Sequence, residues 1–181
     1  ISSIDGKGAQ RIVGKIMNLY RKDKIVIRKA DVKDMRAVYE LSNDPEIRRR
    51  SFNKGDIEFP EHKEWFEKKL GDAACIFLVA EAAGVFIGQV RFDITGGEAV
   101  ISISMHNRFR GVGLGREIMK KALGYLKAAA PSVETVRAYI QEENSSSIKY
   151  FEAVHFQRTG ERIINDQKAL EYLFRLQGGR P

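Results

Sequence analysis

The sequence predicts one α/β domain built on a central mixed, mostly antiparallel sheet of about six to seven strands, flanked by four helices. Three observations carry that expectation. Short runs of β-branched and aromatic residues are punctuated by two-residue turn signals, Ala83-Gly84, Gly96-Gly97 and Asn165-Asp166, which fold neighbouring strands back on one another. Segments with apolar residues at helical spacing precede and separate these runs. One such helix lies between the fourth and fifth strands, and a right-handed crossover makes those two parallel neighbours.

Taken in order, residues 1–22 read as a turn at Asp5-Gly6 and an amphipathic linker helix with Ile12, Ile16, Leu19 and Tyr20 on one side. The domain itself is expected over residues 23–181. "KDKIVIRKA" supplies a first strand around Ile25 and Ile27. Asp31 then caps a helix that carries Val32, Met35, Val38 and Tyr39. Phe59-Pro60 opens a second helix, with Pro60 at its first position, His62, Trp65, Phe66 and Leu70 on one face, and Gly71 as its stop. "CIFLVAE" and "VFIGQVRFDI" form a hairpin. In "EAVISISM", Ile101, Ile103 and Met105 alternate with Ser102 and Ser104. The third helix enters through "RFRGVGLGREIMKKAL", Arg108 to Leu123. A strand "VETVRAYI", a short helix "NSSSIKYFEAV" capped at Asn144 or Ser145, and the strands "HFQRTGERI" and "ALEYLFRL" complete the chain.

With 181 residues, 43% of them hydrophobic and 30% charged, the chain is long and apolar enough for one self-sufficient core. The longest apolar run, Ile76–Ala80, is too short to cross a bilayer, and no secretory signal pattern opens the sequence. No membrane association is expected, and the cytoplasm is the expected compartment. Cys75 is the single cysteine and sits in a strand pattern, where it serves as a small core hydrophobe. No metal site is expected. The net charge of +7 calls for an anionic partner. Its basic residues are scattered and accompany no nucleic-acid-binding motif, and a phosphorylated small molecule explains the sign as well as a nucleic acid does, so charge alone does not choose between them.

Where such a phosphate binds is suggested by "RGVGLGR". Glycine is a poor helix former, yet three glycines stand at this helix entrance. A helix N-terminus exposes unpaired N–H groups and the positive end of the helix dipole. Glycines there admit a phosphate to the main chain and supply left-handed turns that converge several N–H groups. The P-loop spacing fails because Arg116 occupies the slot of its second glycine. The dinucleotide pattern G-x-G-x-x-G fails at Arg116 or, counted from Gly113, at Ile118. What remains is R-x-x-G-x-G at Arg110, Gly113 and Gly115.

That spelling resembles the pyrophosphate loop of the GCN5-related N-acetyltransferases (GNAT), which bind acetyl-CoA, and the likeness extends from about Lys24 to Leu176. It implies the GNAT fold, with the fourth and fifth strands splayed and pantetheine lying between them. Main-chain groups of Ile103 and Met105 would bond the ligand, and the Met105 N–H would polarise the thioester carbonyl. Arg110, Gly111, Val112, Gly113, Gly115 and Arg116 would form the cofactor loop. Asn144 matches the asparagine of the family's downstream motif, and Phe156 its terminal phenylalanine, with His155 in place of the usual glycine. Lys149, with Lys120 and Lys121, is placed to approach the 3′-phosphate. The family's general-acid tyrosine falls on Phe151 here, while Tyr150 stands one residue earlier, about 100° round a helix; Tyr150 is the candidate acid. Asp93 and Glu98 flank the Gly96-Gly97 turn as candidate bases. With no plausible nucleophile, the amine would attack directly, without an acyl-enzyme.

The acceptor is suggested by "NDPEIRRRSFN…PEHKEWF", which resembles the acetyltransferases of the pseudaminic-acid pathway, enzymes that act on a UDP-linked 4-amino sugar. Arg48, Arg49 and Arg50 would meet a diphosphate, Asn43, Ser51 and Asn53 sugar hydroxyls, and Phe52 or Trp65 a uracil or sugar face. As ordinary alternatives, Trp65 and Phe66 are spaced as core residues, His62 as a helix-face histidine, and the arginines as a solvated face. "IDGKGAQRIVGKI" resembles the tail of the UDP-sugar hydrolase of the same pathway, and with Ile1 opening the chain it suggests a fragment of a covalent hydrolase–acetyltransferase fusion. Two other functions compete: an acetyltransferase of protein N-termini or ribosomal proteins, and a non-catalytic CoA-binding module.

Overall fold

The computed structural model describes residues 24–176, so the linker helix expected over 1–22 lies outside the described residues. Turn chemistry orders the strands. β2 (Cys75–Ala82) and β3 (Val85–Thr95) are joined by Ala83 and Gly84 at φ of 51° and 74°, and β6 (Gln157–Ile164) and β7 (Gln167–Arg175) by Asn165 and Asp166 at 46° and 57°. Paired left-handed residues give hairpin turns whose twist matches that of the strands. With β1 (Ile25–Lys29), β4 (Glu98–Met105) and β5 (Thr135–Gln141), they form a seven-stranded sheet in the order β1-β2-β3-β4-β5-β7-β6. Only β4 and β5 are parallel. The mixed sheet with a single parallel pair is the expected one.

Five α-helices, not four, flank it among the described residues. α1 (Met35–Ser42) starts later than expected, because Asp31 caps a 3-10 turn, Val32–Asp34, instead. The additional helix is α2 (Pro45–Arg49): the Asp44 carboxylate accepts from the N–H groups of Glu46 (2.9 Å) and Ile47 (3.3 Å), and Pro45 presets its first turn. α3 (Phe59–Gly71) carries Pro60 in its opening turn. α4 (Leu114–Ala129) and α5 (Ser145–Ala153) complete the set.

Both faces of the sheet are covered. Ile76, Leu78 and Ala80 of β2 join the core under α4 and α5, whereas the alternate residues Phe77 and Val79 pack with Val38 of α1 and Phe66 of α3. This two-sided burial is why β2 reads as an unbroken apolar run.

The sheet opens between its parallel strands. β4 and β5 are in register only from Glu98–Thr135 to Val100–Arg137. Beyond that, β4 stays on β3 and β5 on β7. β4 presses onto β3 at Gly88, where a Cβ would stand 2.3 Å from the Ser104 carbonyl oxygen and 2.9 Å from Met105 Cα. Only glycine permits that approach.

Candidate active site

The parting of β4 and β5 leaves main-chain groups facing a cleft. In an antiparallel pair, alternate residues turn N–H and C=O toward the partner. The His106 N–H bonds the Ile87 carbonyl at 3.0 Å, which puts His106, Ser104 and Ser102 in the set that faces β3. Ile101, Ile103 and Met105 therefore face the other way. Across the gap, the Glu142 N–H bond to Lys168 O makes Tyr139 and Gln141 face β4 by the same alternation. The walls form a cavity of about 860 Å³.

At one end of the cleft, β4 runs through a 3-10 turn (Asn107–Phe109) into the glycine loop. Gly111 and Gly113 take φ of 74° and 82°, and Gly113 is the N-cap of α4 with no side chain to satisfy the first N–H groups. Those amides, the helix dipole and Arg116 converge on the cavity. Gly115 is small for a different reason. A Cβ there would lie 2.9 Å from Tyr150 Cε2. Asn144 caps α5, accepting from Ser147 N at 3.2 Å, and lines the same cavity. Of the expected cofactor residues, Ile103, Met105, Arg110, Gly111, Gly113, Gly115, Arg116 and Asn144 thus converge. Val112 and Lys149 do not: both are solvent-exposed and outside the lining. His155, where the family has glycine, holds the left-handed conformation at φ 69°.

Arg50, Ser51 and Phe52 also line the cavity, but their neighbours serve other purposes. Asn43 clips the loop behind them, donating to Ile57 O and accepting from Ile57 N, both at 2.9 Å. Arg48 donates to Gly55 O at 3.1 Å, and Arg49 points to solvent. Trp65 lies among Phe66, Phe77 and Cys75 on the α3 side of the sheet, with the Arg91 guanidinium 5.2 Å over its ring. It is a core residue and no platform.

The acid–base candidates also fall elsewhere. Glu98 sits where β4 and β5 are still paired, in a two-point ion pair with Arg137 (Nε–Oε1 2.9 Å, Nη2–Oε2 2.5 Å) that holds its carboxyl below the usual range. Burial raises the pKa of Asp93, but Lys69 at 2.6 Å and Arg91 at 2.9 Å outweigh it and keep it charged, away from the cleft. Tyr150 does line the cavity, yet its hydroxyl donates to Gly115 O at 2.8 Å and burial drives its pKa up. It ties α5 to the first turn of α4. Cys75 is outside the cleft, its thiol pushed up to about 11 by burial and by Asp93.

Two groups that sequence reasoning passed over shape the site. Gln141, buried at the end of β5, donates to Ser51 O at 2.9 Å and to Gln167 Oε1 at 2.8 Å, and Gln167 in turn donates to Phe52 O at 2.7 Å. This clasp holds the 51–52 backbone against the cleft. Glu46 bridges Arg50 (2.6 Å) and Arg110 (2.7 Å). Among the described residues, the cavity lining contains Arg50, Arg110 and Arg116 and no Asp or Glu. No three His, Cys, Asp or Glu side chains gather as a metal site among them, and none of their helices is long and apolar enough to cross a membrane.

The sequence pattern of the acetyltransferase (GNAT) domain matches residues 24–157. The chain belongs to this family. It is an N-acetyltransferase, and its acetyl donor is acetyl-CoA. The open strand edges and the unpaired amides at the α4 N-terminus suit an extended thioester ending in a pyrophosphate. Solved structures share the acetyltransferase fold. Spermidine N-acetyltransferase from Vibrio cholerae, in complex with CoA and spermine, is 22% identical with a TM-score of 0.76 over 85% of this chain and 96% of that one. AAC(6')-Ib in complex with ribostamycin and coenzyme A is 20% identical with a TM-score of 0.72, covering 84% and 94%. The yncA protein of Salmonella typhimurium, with acetyl-CoA as its cofactor, is 20% identical with a TM-score of 0.68, covering 87% and 97%. No curated protein matches the sequence.

Proposed function

We propose that this acetyltransferase acts on the amino group of a nucleotide-linked amino sugar, a UDP-4-amino-6-deoxy sugar, by direct attack in a ternary complex. The observation that carries the proposal is the sign of the cavity: Arg50 stands in its lining beside the arginines Arg110 and Arg116 that flank the glycine loop, and among the described residues the lining holds no carboxylate. A polyamine or an aminoglycoside brings several positive charges and needs carboxylates to receive them. A diphosphate suits Arg50, whose planar fork can bind phosphate oxygens in pairs. Phe52 beside it offers a face for a base or sugar ring.

Acetyl-CoA supplies the acetyl thioester. Its pyrophosphate would take the N–H groups at Gly113–Arg116 and the Arg116 side chain, and its pantetheine arm would lie along Ile103 and Met105, bonded as an added strand. The Met105 N–H would stabilise the negative charge that develops on the carbonyl oxygen. The amine nitrogen bonds the carbonyl carbon, the carbon–sulfur bond breaks to release CoA as a thiolate, and the proton lost from nitrogen ends, through solvent, on that thiolate, giving the amide and CoA thiol. The positive lining disfavours an ammonium and so helps present the amine as its free base.

Release of CoA thiol tests this, with a UDP-4-amino-6-deoxy sugar, spermidine and N-terminal peptides as acceptors. Turnover confined to the sugar is expected. Turnover of spermidine or peptides with none for the sugar refutes the acceptor assignment, and CoA binding without turnover of any amine refutes catalysis.

A further inference from the structure

We propose that Glu46 is a positioning residue that couples acceptor binding to the carbonyl-polarising end of β4. The inference rests on an anionic acceptor reaching Arg50. Glu46 stands in the first turn of α2, and its two carboxylate oxygens hold different arginines: Oε1 lies 2.6 Å from Arg50 Nη2 and Oε2 2.7 Å from Arg110 Nη1. Each arginine has a second engagement. Arg110 Nε donates to the Met105 carbonyl at 2.8 Å, and Arg50 Nη1 donates to Ser146 Oγ at 2.9 Å. One carboxylate therefore joins the acceptor wall, the end of β4 and the first turn of α5. All three charged side chains are part-buried, with 25–32% of each exposed, so solvent screens them less than it would a surface pair.

This arrangement has a mechanical consequence. The Arg110 bond pins the peptide that follows Met105, and the N–H facing the cleft belongs to the same residue. Glu46 fixes the Arg110 fork and so fixes that peptide. Glu46 also neutralises Arg50 when no acceptor is bound. An acceptor phosphate that draws on Arg50 competes with this carboxylate and leaves it more fully to Arg110. Two arginines share one carboxylate, so the cluster keeps an unmatched positive charge for the phosphate. Binding at Arg50 thereby tightens the support of the polarising N–H of Met105.

Replacing the carboxylate by its amide separates the two roles. In Glu46→Gln, Arg50 loses its counter-charge and Arg110 loses its anchor. The KM for the UDP-4-amino sugar should fall about 3- to 10-fold while kcat falls about 10-fold, with the KM for acetyl-CoA unchanged. A merely structural ion pair does not move acceptor KM and kcat downward together. Arg110→Lys keeps the charge but loses the fork that serves Met105 and Glu46 at once. It should reproduce the loss in kcat without the fall in acceptor KM. An unchanged kcat in both variants overturns the coupling. A fall in kcat with both KM values raised and the melting temperature lowered reduces Glu46 to a fold-stabilising pair and also overturns it. If the wild-type enzyme turns over spermidine instead of the sugar, the proposed acceptor has failed independently. The kcat of Glu46→Gln on spermidine then still tests the positioning role, and a raised spermidine KM would confirm the cationic acceptor.

Discussion

Substituting Gly88 by alanine probes the feature that opens the sheet. The new Cβ would stand 2.3 Å from Ser104 O and 2.9 Å from Met105 Cα, whereas ordinary contact begins at 3.4 Å, so β4 must retreat from β3 by about 1 Å. Both obstructing groups are backbone, and no side chain can rotate aside. Overpacking of this kind costs about 1–3 kcal/mol, which for a domain of this size lowers Tm by roughly 2–12 °C. The retreat moves Met105, whose N–H faces the cleft. A misplacement of about 1 Å in a group that must meet the reacting carbonyl costs on the order of 100-fold in rate. Calorimetry gives the melting temperature, and thiol release at 25 °C, well below it, gives kcat and the KM for acetyl-CoA. A loss of kcat far larger than the unfolded fraction explains is the expected result. If Tm falls but kcat and KM stay within twofold of wild type, the close approach at Gly88 serves packing alone and has no part in placing Met105.

Four further outcomes are expected. Gly113→Val forces a β-branched residue to a φ of 82° at the cap of α4 and should weaken CoA at least 10-fold in isothermal titration with the circular dichroism spectrum retained; unchanged affinity would remove the loop from the phosphate site. Tyr150→Phe deletes the bond to Gly115 O, so stability should drop by roughly 0.5–1.5 kcal/mol in urea titration while kcat stays within threefold. A 100-fold loss of kcat would reinstate the phenol as the acid. Arg50→Ala should raise acceptor KM about 10-fold and Arg49→Ala leave it within twofold, both sparing acetyl-CoA; equal effects would mean that the cavity geometry does not select between them. His62 is buried with Nε2 unpartnered, and burial holds its pKa below the 6.5 of a free imidazole. The unfolded chain therefore takes up a proton below pH 6.5 that the folded chain refuses, and stability falls by up to about 1.4 kcal/mol per pH unit until the folded-state pKa is passed. His62→Leu should flatten the melting temperature between pH 7 and 5, leaving a remainder from His106, also lowered by burial. A slope equal to that of wild type would refute it.

The local features of this molecule were legible because their physics acts within a few residues. Hairpin turns need left-handed pairs, and Ala83-Gly84 and Asn165-Asp166 advertise them. A helix end needs a cap, which Asp31 and Asn144 provide even though Asp31 caps a 3-10 turn. Gly111 and Gly113 marked a left-handed entrance to a helix before any strand was in place, and the alternation through "EAVISISM" marked a strand edge.

Partner choice among charged side chains was not legible. Glu98 and Asp93 looked like free carboxylates, and each meets its arginine or lysine only after the sheet closes. Glu46 lies 64 residues from Arg110, and Gln141 lies 90 from Ser51, so no sequence window contains both ends of either contact. Trp65 shows the same limit from the apolar side: helical spacing assigned its face, but which sheet that face covers depends on how α3 docks. Chain-local geometry and steric demand thus set the strands, the turns and the left-handed glycine entrance to α4, all of them readable from sequence alone. Which arginine faces the cleft, which carboxylate neutralises it, and where the sheet parts were decided by the tertiary structure, because charge pairing and close packing are set by distances in space between residues far apart in the chain.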